Sequence, residues 1–261
     1  MVYFSPIKTQ RKGGLPLDRY DVKRRARAIL QSQKKPIFLA SALFVALILI
    51  FSYLSFRLTG PNDRELQSMV DALAAGDALG AQEILLSLQP SFLETFMSDF
   101  LSYLQAVVAF GFLLLLLRAS REKEVQPGML LDGFGSLIRV LLLVLITKLI
   151  VTLGFLLLII PGIVFLYNYR MARYLMILHP EYSPLDCLRE SRTRMRGWRL
   201  QLFLLDLSFL GWALLCTIPV LGLVAALWAL PYWNCSCLLF YDEISAGLDS
   251  KPPFDEDQYP L

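Results

Sequence analysis

The sequence predicts an all-α fold, a polytopic membrane bundle of about six transmembrane helices with short interfacial helices, on three observations. Of 261 residues, 56% are hydrophobic and only 18% charged, with a mean hydropathy of +0.54. A water-soluble domain carries roughly a quarter charged residues and cannot hide this much apolar surface. Several apolar runs reach the about 20 residues that a helix needs to cross a bilayer. Lys and Arg fall almost wholly on one side of those runs. Together these exclude a soluble enzyme, a disordered chain and a disulfide scaffold.

Residues 1–35 form a basic segment with ten basic and two acidic side chains. Within it, 21–31 puts Val22, Ala26, Ile29 and Leu30 on one helical face. Lys23, Arg24, Arg25 and Arg27 surround that face, the pattern of a helix lying in the cytoplasmic interface against anionic headgroups. A basic flank that merely sets topology is the plainer reading. The membrane domain follows over 36–243. Its first span, 36–56, carries no charge. It is too long for a signal-peptide core and lacks a small-residue cleavage site, so it reads as an uncleaved anchor.

Residues 57–97 are expected outside the membrane as a helical hairpin. Leu66, Met69, Val70 and Leu73 recur at helical spacing until Gly76-Asp77 interrupts. Ile84, Leu85 and Leu88 continue a second helix, which Pro90 stops. Ser91 followed by Glu94 is a capping-box signature, so the next helix starts just after Ser91 and crosses over 100–117. The third span, 140–160, is apolar except for Thr147, Lys148 and Thr152. Pro161 and Gly162 are then expected to break the helix, and 163–178 returns as a shorter fourth span. Ser183-Pro184 opens a cytoplasmic amphipathic helix over 183–197, with an N-cap, proline in the first turn and Gly197 as the stop. Arg189, Arg192 and Arg196 form its basic stripe, while Leu185, Leu188 and Met195 face the other way. The fifth span is 198–218, containing Asp206. The sixth is 219–241, containing Trp228, Pro231, Trp233 and Asn234. Residues 244–261, with Pro252-Pro253 and Asp255-Glu256-Asp257, read as an acidic disordered tail.

Orientation follows from the basic residues. Segments assigned to the inside hold 19 Lys and Arg, those outside hold two (Arg57 and Arg64), and four more lie in or beside spans. Six spans with both termini cytoplasmic satisfy this bias. The net charge of +3 conceals the sidedness and gives no reason to expect nucleic acid as a partner.

No residue set promises catalysis, a cofactor or a metal. A lone His179 supports neither a metal-binding histidine pair nor a triad base, and no phosphate-cradling glycine motif is present. Cys235 and Cys237 lie two apart within a span, so they point to different helix faces, and packing is the simplest role for the four cysteines. The informative groups are those at membrane depth: Lys148, Tyr167, Arg170, Arg173, Asp206 and Asn234, a candidate intramembrane polar cluster. Lys148 lies about 18 Å from the cytoplasmic start of its helix. Its cost of about 2.5–3.5 kcal/mol is outweighed by seventeen Leu, Ile, Val and Phe residues over 140–160. It is tolerated there but should not face lipid. Asp206 is expected to pair with Arg170, or with Arg173 or Lys148. Such groups either glue helices together or line a pathway.

Several stretches resemble one family. Leu156-Leu-Leu-Ile-Ile-Pro-Gly-Ile163, Tyr169-Arg-Met-Ala-Arg-Tyr174, Ser191-Arg-Thr-Arg-Met-Arg-Gly197 and Leu204-Leu-Asp-Leu-Ser-Phe-Leu-Gly-Trp212 carry the likeness. So do Val22-Lys-Arg-Arg-Ala-Arg-Ala-Ile-Leu30, Pro231-Tyr-Trp-Asn234 and Phe240-Tyr-Asp-Glu243. The chain is similar to a bacterial integral-membrane family filed as domain of unknown function number nine hundred seventy-five, over most of 20–245. The resemblance implies a multi-span protein of the bacterial plasma membrane and no assigned activity. It also places Pro161-Gly162, Asp206, Gly211-Trp212 and Asn234 within shared motifs, and it does not extend to 57–97 or the tail.

Three functions compete. A non-enzymatic protein that organises or assists envelope machinery fits the missing catalytic groups and the two basic helices, with the bilayer and an unidentified membrane protein as partners. The alternative is a small-solute or lipid transporter or channel using Lys148, Arg170, Asp206 and Asn234. A lipid-modifying enzyme comes last, because no carboxylate pair or histidine cluster stands at a bilayer surface.

Overall fold

A computed structural model describes residues 19–61, 63–87, 89–121, 124–218 and 221–249. All regular structure among them is helical. The basic segment before Arg19, the turn residue Pro219, Leu88 and the tail from residue 250 lie outside the described residues, whereas 244–249, expected as disordered tail, continue the last helix, with Ile244 and Ser245 buried. Four helical stretches are long and apolar enough to cross a membrane: Lys34–Thr59, Phe92–Ser120, Pro127–Leu157 and Leu221–Ala246. The chain divides into two compact units, residues 44–106 and the remainder.

The larger unit begins with α1 (Arg19–Ser32). Val22, Ala26 and Leu30 recur every four residues and are buried, packing on α12 (Leu221–Asp249). Lys23 and Arg27, one turn apart, reach Ser208, Phe209 and Tyr232, whereas Arg25 reaches Glu243. The partners run down α12 as α1 runs up, from Glu243 at Arg25 through Tyr232 at Arg27 to Pro231 and Leu227 at Leu30, so the two helices pack antiparallel. The cluster expected to face headgroups is thus partly engaged within the protein.

After the second half of α5 (Phe92–Ser120), the 3-10 segment Pro127–Ser136 leads into α6 (Leu137–Leu157). Gly111 and Gly133 meet backbone to backbone: a Cβ on Gly111 would land on the Leu130 carbonyl, and one on Gly133 would stand 2.6 Å from the Val107 carbonyl. α6 and α7 (Ile159–Tyr169) form a tight hairpin. The turn expected at Pro161-Gly162 falls three residues earlier, at Leu158, which is extended at φ −164°, ψ 155°. Proline's ring collides with the carbonyl four residues back, here Leu157, so the helix must end before Pro161 rather than at it. Pro161 then sits in the first turn of α7, where no amide donor is needed. Gly162 lies against Gly154 across the hairpin, whose Cα is 3.1 Å from an ideal Cβ placed on Gly154.

The expected fourth and fifth spans are each divided. Arg170 and Met171 separate α7 from α8 (Ala172–Leu178); Ser208 and Phe209 separate α10 (Arg199–Leu207) from α11 (Leu210–Leu215). At the second break the Ser208 hydroxyl donates back to the Leu205 carbonyl, and Lys23 Nζ donates to the Ser208 carbonyl at 3.2 Å. Local side-chain bonding of this kind competes with the helical ladder. None of these four helices alone reaches spanning length.

α9 (Pro184–Arg194) begins with a capping box: Ser183 Oγ accepts from the Asp186 amide at 3.2 Å, and the Ser183 amide donates to Asp186 at 3.2 Å. Gly197, at φ +85°, closes the turn beyond it in a left-handed conformation that side chains resist. Leu188 and Met195 are buried as the periodicity requires, but Leu185 is exposed. The buried face is instead Cys187, Leu188 and Ser191.

The smaller unit holds the second half of α2 (Lys34–Thr59), α3 (Asp63–Ala74), α4 (Ala78–Ser87) and the first half of α5. α3 ends in a Schellman motif: Gly76 is at φ +73°, the Asp77 amide donates to the Ala72 carbonyl at 2.9 Å, and the Gly76 amide to Leu73 at 3.2 Å. Asp77 Oδ1 then accepts from the Gly80 amide at 2.9 Å, capping α4. The Ser91 amide donates to Glu94 at 2.7 Å, and the Glu94 amide to Ser91 Oγ at 3.3 Å, as the capping box requires. Between α2 and α5, Ser55 and Ser98 share a hydrogen bond, and Gln105 Nε2 donates to the Ile48 carbonyl at 3.1 Å and to Ser52 Oγ at 3.0 Å.

Candidate polar site on the last helix

α12 organises two polar layers in the larger unit. The first centres on Asp206 of α10. Tyr167 OH donates to Asp206 Oδ2 at 3.0 Å, Arg170 Nη1 donates to the same oxygen, and Trp233 Nε1 donates to Oδ1 at 2.8 Å. Arg170 also lies over the Trp233 ring at 4.9 Å and the Tyr167 ring at 5.6 Å. Its Nη2 stands 3.8 Å from Cys237 Sγ, one turn beyond Trp233. The positions follow from helix phase: Tyr167 and Arg170 are three apart at the end of α7, and Trp233 and Cys237 are four apart on α12. The pair has side-chain exposures of 16% and 19%, so the charges are largely withdrawn from solvent and held by complementary donors rather than by water.

The second layer stands nine residues further along α12, about 13 Å at the helical rise. Arg121 Nη2 and Tyr174 OH both donate to Asp242 Oδ1, at 2.8 and 2.7 Å. Next to it Glu243 pairs with Arg25, which also holds Asp21 at 3.1 Å. Sequence spacing gave no hint of this layer, because the partners of Asp242 and Glu243 lie far from them in sequence, on α1 and α8 and just after α5.

Of the six residues expected to cluster, Tyr167, Arg170 and Asp206 come together. Arg173 is half-buried on α8 and gives Asp206 no hydrogen bond. Lys148 lies on the exposed side of α6, contrary to the expectation that it should turn inward. Asn234 Nδ2 turns back to the Leu230 carbonyl of its own helix at 2.9 Å. Trp233, beside it, is the actual partner. The readable signal was the indole N–H, which needs an acceptor once it leaves water.

Beside Asp206, an open apolar cavity of about 350 Å³ is walled by Phe209, Trp212, Ala213, Ala229 and Trp233. In the smaller unit a cavity of about 300 Å³ is lined by Ser52, Ser55, Thr59, Ser102 and Gln105.

Outside the spans, Arg189, Arg192 and Arg196 are all exposed on α9. Hydrogen bonds from Ser183 hold the Asp186 carboxyl below its ordinary range, and burial pushes the Cys187 thiol up to about 11. Cys187 therefore stays protonated and unreactive at neutral pH. Among the described residues, no three His, Cys, Asp or Glu side chains gather as metal ligands would.

Fold and site together define an all-helical protein whose helices can cross a membrane and whose interior is tied by ion pairs along one helix. The chain belongs to the DUF975 family: the model described as "Protein of unknown function (DUF975)" matches residues 85–247, more than half of it. That range contains both polar layers except Arg25 and Asp21. No curated protein and no solved structure matches.

Proposed function

We propose that this chain is a non-enzymatic protein of the bacterial plasma membrane that organises or assists envelope machinery. It crosses the bilayer about six times, with the divided segments α7–α8 and α10–α11 as its fourth and fifth crossings. Residues 1–35 and 244–261 lie in the cytoplasm, and the α3–α4 hairpin lies outside. The observation that carries this reading is the way Asp206 is held: its two oxygens accept from three protein donors on α7 and α12 and at the break after α7, as in a layer that glues helices together. The exposed stripe Arg189, Arg192 and Arg196 is then the surface that meets an acidic protein partner or anionic headgroups.

The test is mass spectrometry of the protein extracted in native lipid discs, beside the triple variant Arg189→Gln, Arg192→Gln, Arg196→Gln. A stoichiometric polypeptide lost from the variant is the expected result. An enriched small solute with no polypeptide would overturn it in favour of transport. One observation favours that second reading: helices broken beside an ion pair are the usual form of transporter sites. Cysteines placed along α7 and α10 would then react with water-soluble thiol reagents.

A further inference from the structure

The cavity beside Asp206 and the flank of α1 share one residue. Phe209 forms a wall of the cavity, packs edge-on against Tyr232 at 4.9 Å between ring centroids, and carries the Lys23 ammonium 4.2 Å from its own centroid. Arg27 stands 5.4 Å from the Tyr232 ring. An apolar slot thus ends one ring away from Lys23 and two rings away from Arg27. The surface beside the slot is hydrocarbon in character: Leu207, Leu210 and Leu214 are 49%, 50% and 62% exposed.

From this geometry we infer that the cavity holds one acyl chain of an anionic phospholipid, whose phosphate sits against Lys23 and Arg27. The inference rests on the reading of the chain as a membrane protein in which α10–α11 is a crossing. At that depth the medium next to an open apolar cavity is lipid, and water is a poor filler for walls of Phe, Trp and Ala. The charge complements the headgroup. Burial, together with Arg27 and then Arg19, pulls the Lys23 ammonium below its ordinary range, and an adjoining phosphate relieves that repulsion. Asp206 also lines the cavity, and its charge is paired with Arg170 rather than left to face the chain alone. Lipid occupancy and the docking of α1 are therefore coupled through Phe209 and Lys23.

The test uses tryptophan quenching in discs of phospholipid with brominated acyl chains. Trp198, Trp212 and Trp228 are replaced by Phe, leaving Trp233 in the cavity wall. Brominated phosphatidylglycerol is expected to quench Trp233 at least twofold more than brominated phosphatidylcholine does. Ala213→Phe with Ala229→Phe, which fills the slot, should abolish the quenching. Lys23→Gln with Arg27→Gln should abolish the headgroup preference. A Leu156→Trp control reports insertion itself, since that position is 81% exposed on α6. Quenching of the control without quenching of Trp233 overturns the inference but leaves the membrane reading intact. An unquenched control overturns both. Equal quenching by the two lipids, or quenching that survives the filling variant, also overturns it. If the tryptophan replacements prevent folding, phosphatidylglycerol carried through purification decides the matter. The otherwise unaltered chain should retain about one molecule more than the filled variant, and equal retention refutes the site.

Discussion

Asp206 cannot be neutralised without stranding Arg170, because the two charges are withdrawn from water together. Breaking such a pair costs about 3–5 kcal/mol, most of it the penalty of the orphaned partner. Asp206→Asn should therefore lower the thermal midpoint in detergent by several degrees. The double reversal Asp206→Arg with Arg170→Asp should recover part of the loss. Tyr167→Phe removes one donor of three and should cost about 0.5–1 kcal/mol. At this scale the sequence was legible wherever a charge at membrane depth demanded a partner. It misled where a polar group could satisfy itself: Asn234 spends its amide on Leu230, and Lys148 lies outward. Trp233 went unrecognised because an indole in a span reads equally well as an interface anchor. In α9 the Asp186 carboxylate sits below its ordinary range, so it stabilises the cap at neutral pH. That support is lost only as pH falls through its lowered folded value. Ser183→Ala should remove about 1 kcal/mol of helix stability at neutral pH, read as faster amide exchange in 184–188.

Helix starts were readable because caps are chemistry local to three or four residues, as at Ser91 and Ser183. Helix breaks were not. The interruptions at Arg170-Met171 and Ser208-Phe209 contain neither proline nor glycine, and they exist because distant groups satisfy the freed backbone, Lys23 at Ser208 among them. Pro161 was recognised as a breaker, yet its effect acts backward on Leu157 and moves the turn to Leu158. Two glycines give a direct check on packing between elements. Gly111→Val would drive a side chain into the Leu130 carbonyl and should destabilise by about 2–3 kcal/mol, measured as lost monodisperse protein on heating. Gly211→Ala meets open space and should be neutral or slightly stabilising in the same assay.

For the whole molecule, the sidedness of Lys and Arg makes a prediction of its own. A cysteine at Gln89 should be labelled by an impermeant reagent added to intact cells, and one at Arg192 only after the membrane is opened. If both positions label from the same side, the six-span arrangement is wrong. The fold class was legible at this scale because hydropathy is summed over many residues and survives local error. The second polar layer was not, since it joins residues that no window of sequence contains together.

Arg25 and Glu243, paired across α1 and α12, lie 218 positions apart. A ribosome adding about 5–20 residues per second reaches Glu243 on the order of 10–40 seconds after Arg25. Throughout that interval Val22, Ala26 and Leu30 have no surface of α12 to cover them. The first helix to be made is thus the last to be seated. A chain stalled before residue 221 leaves that apolar face without its α12 partner.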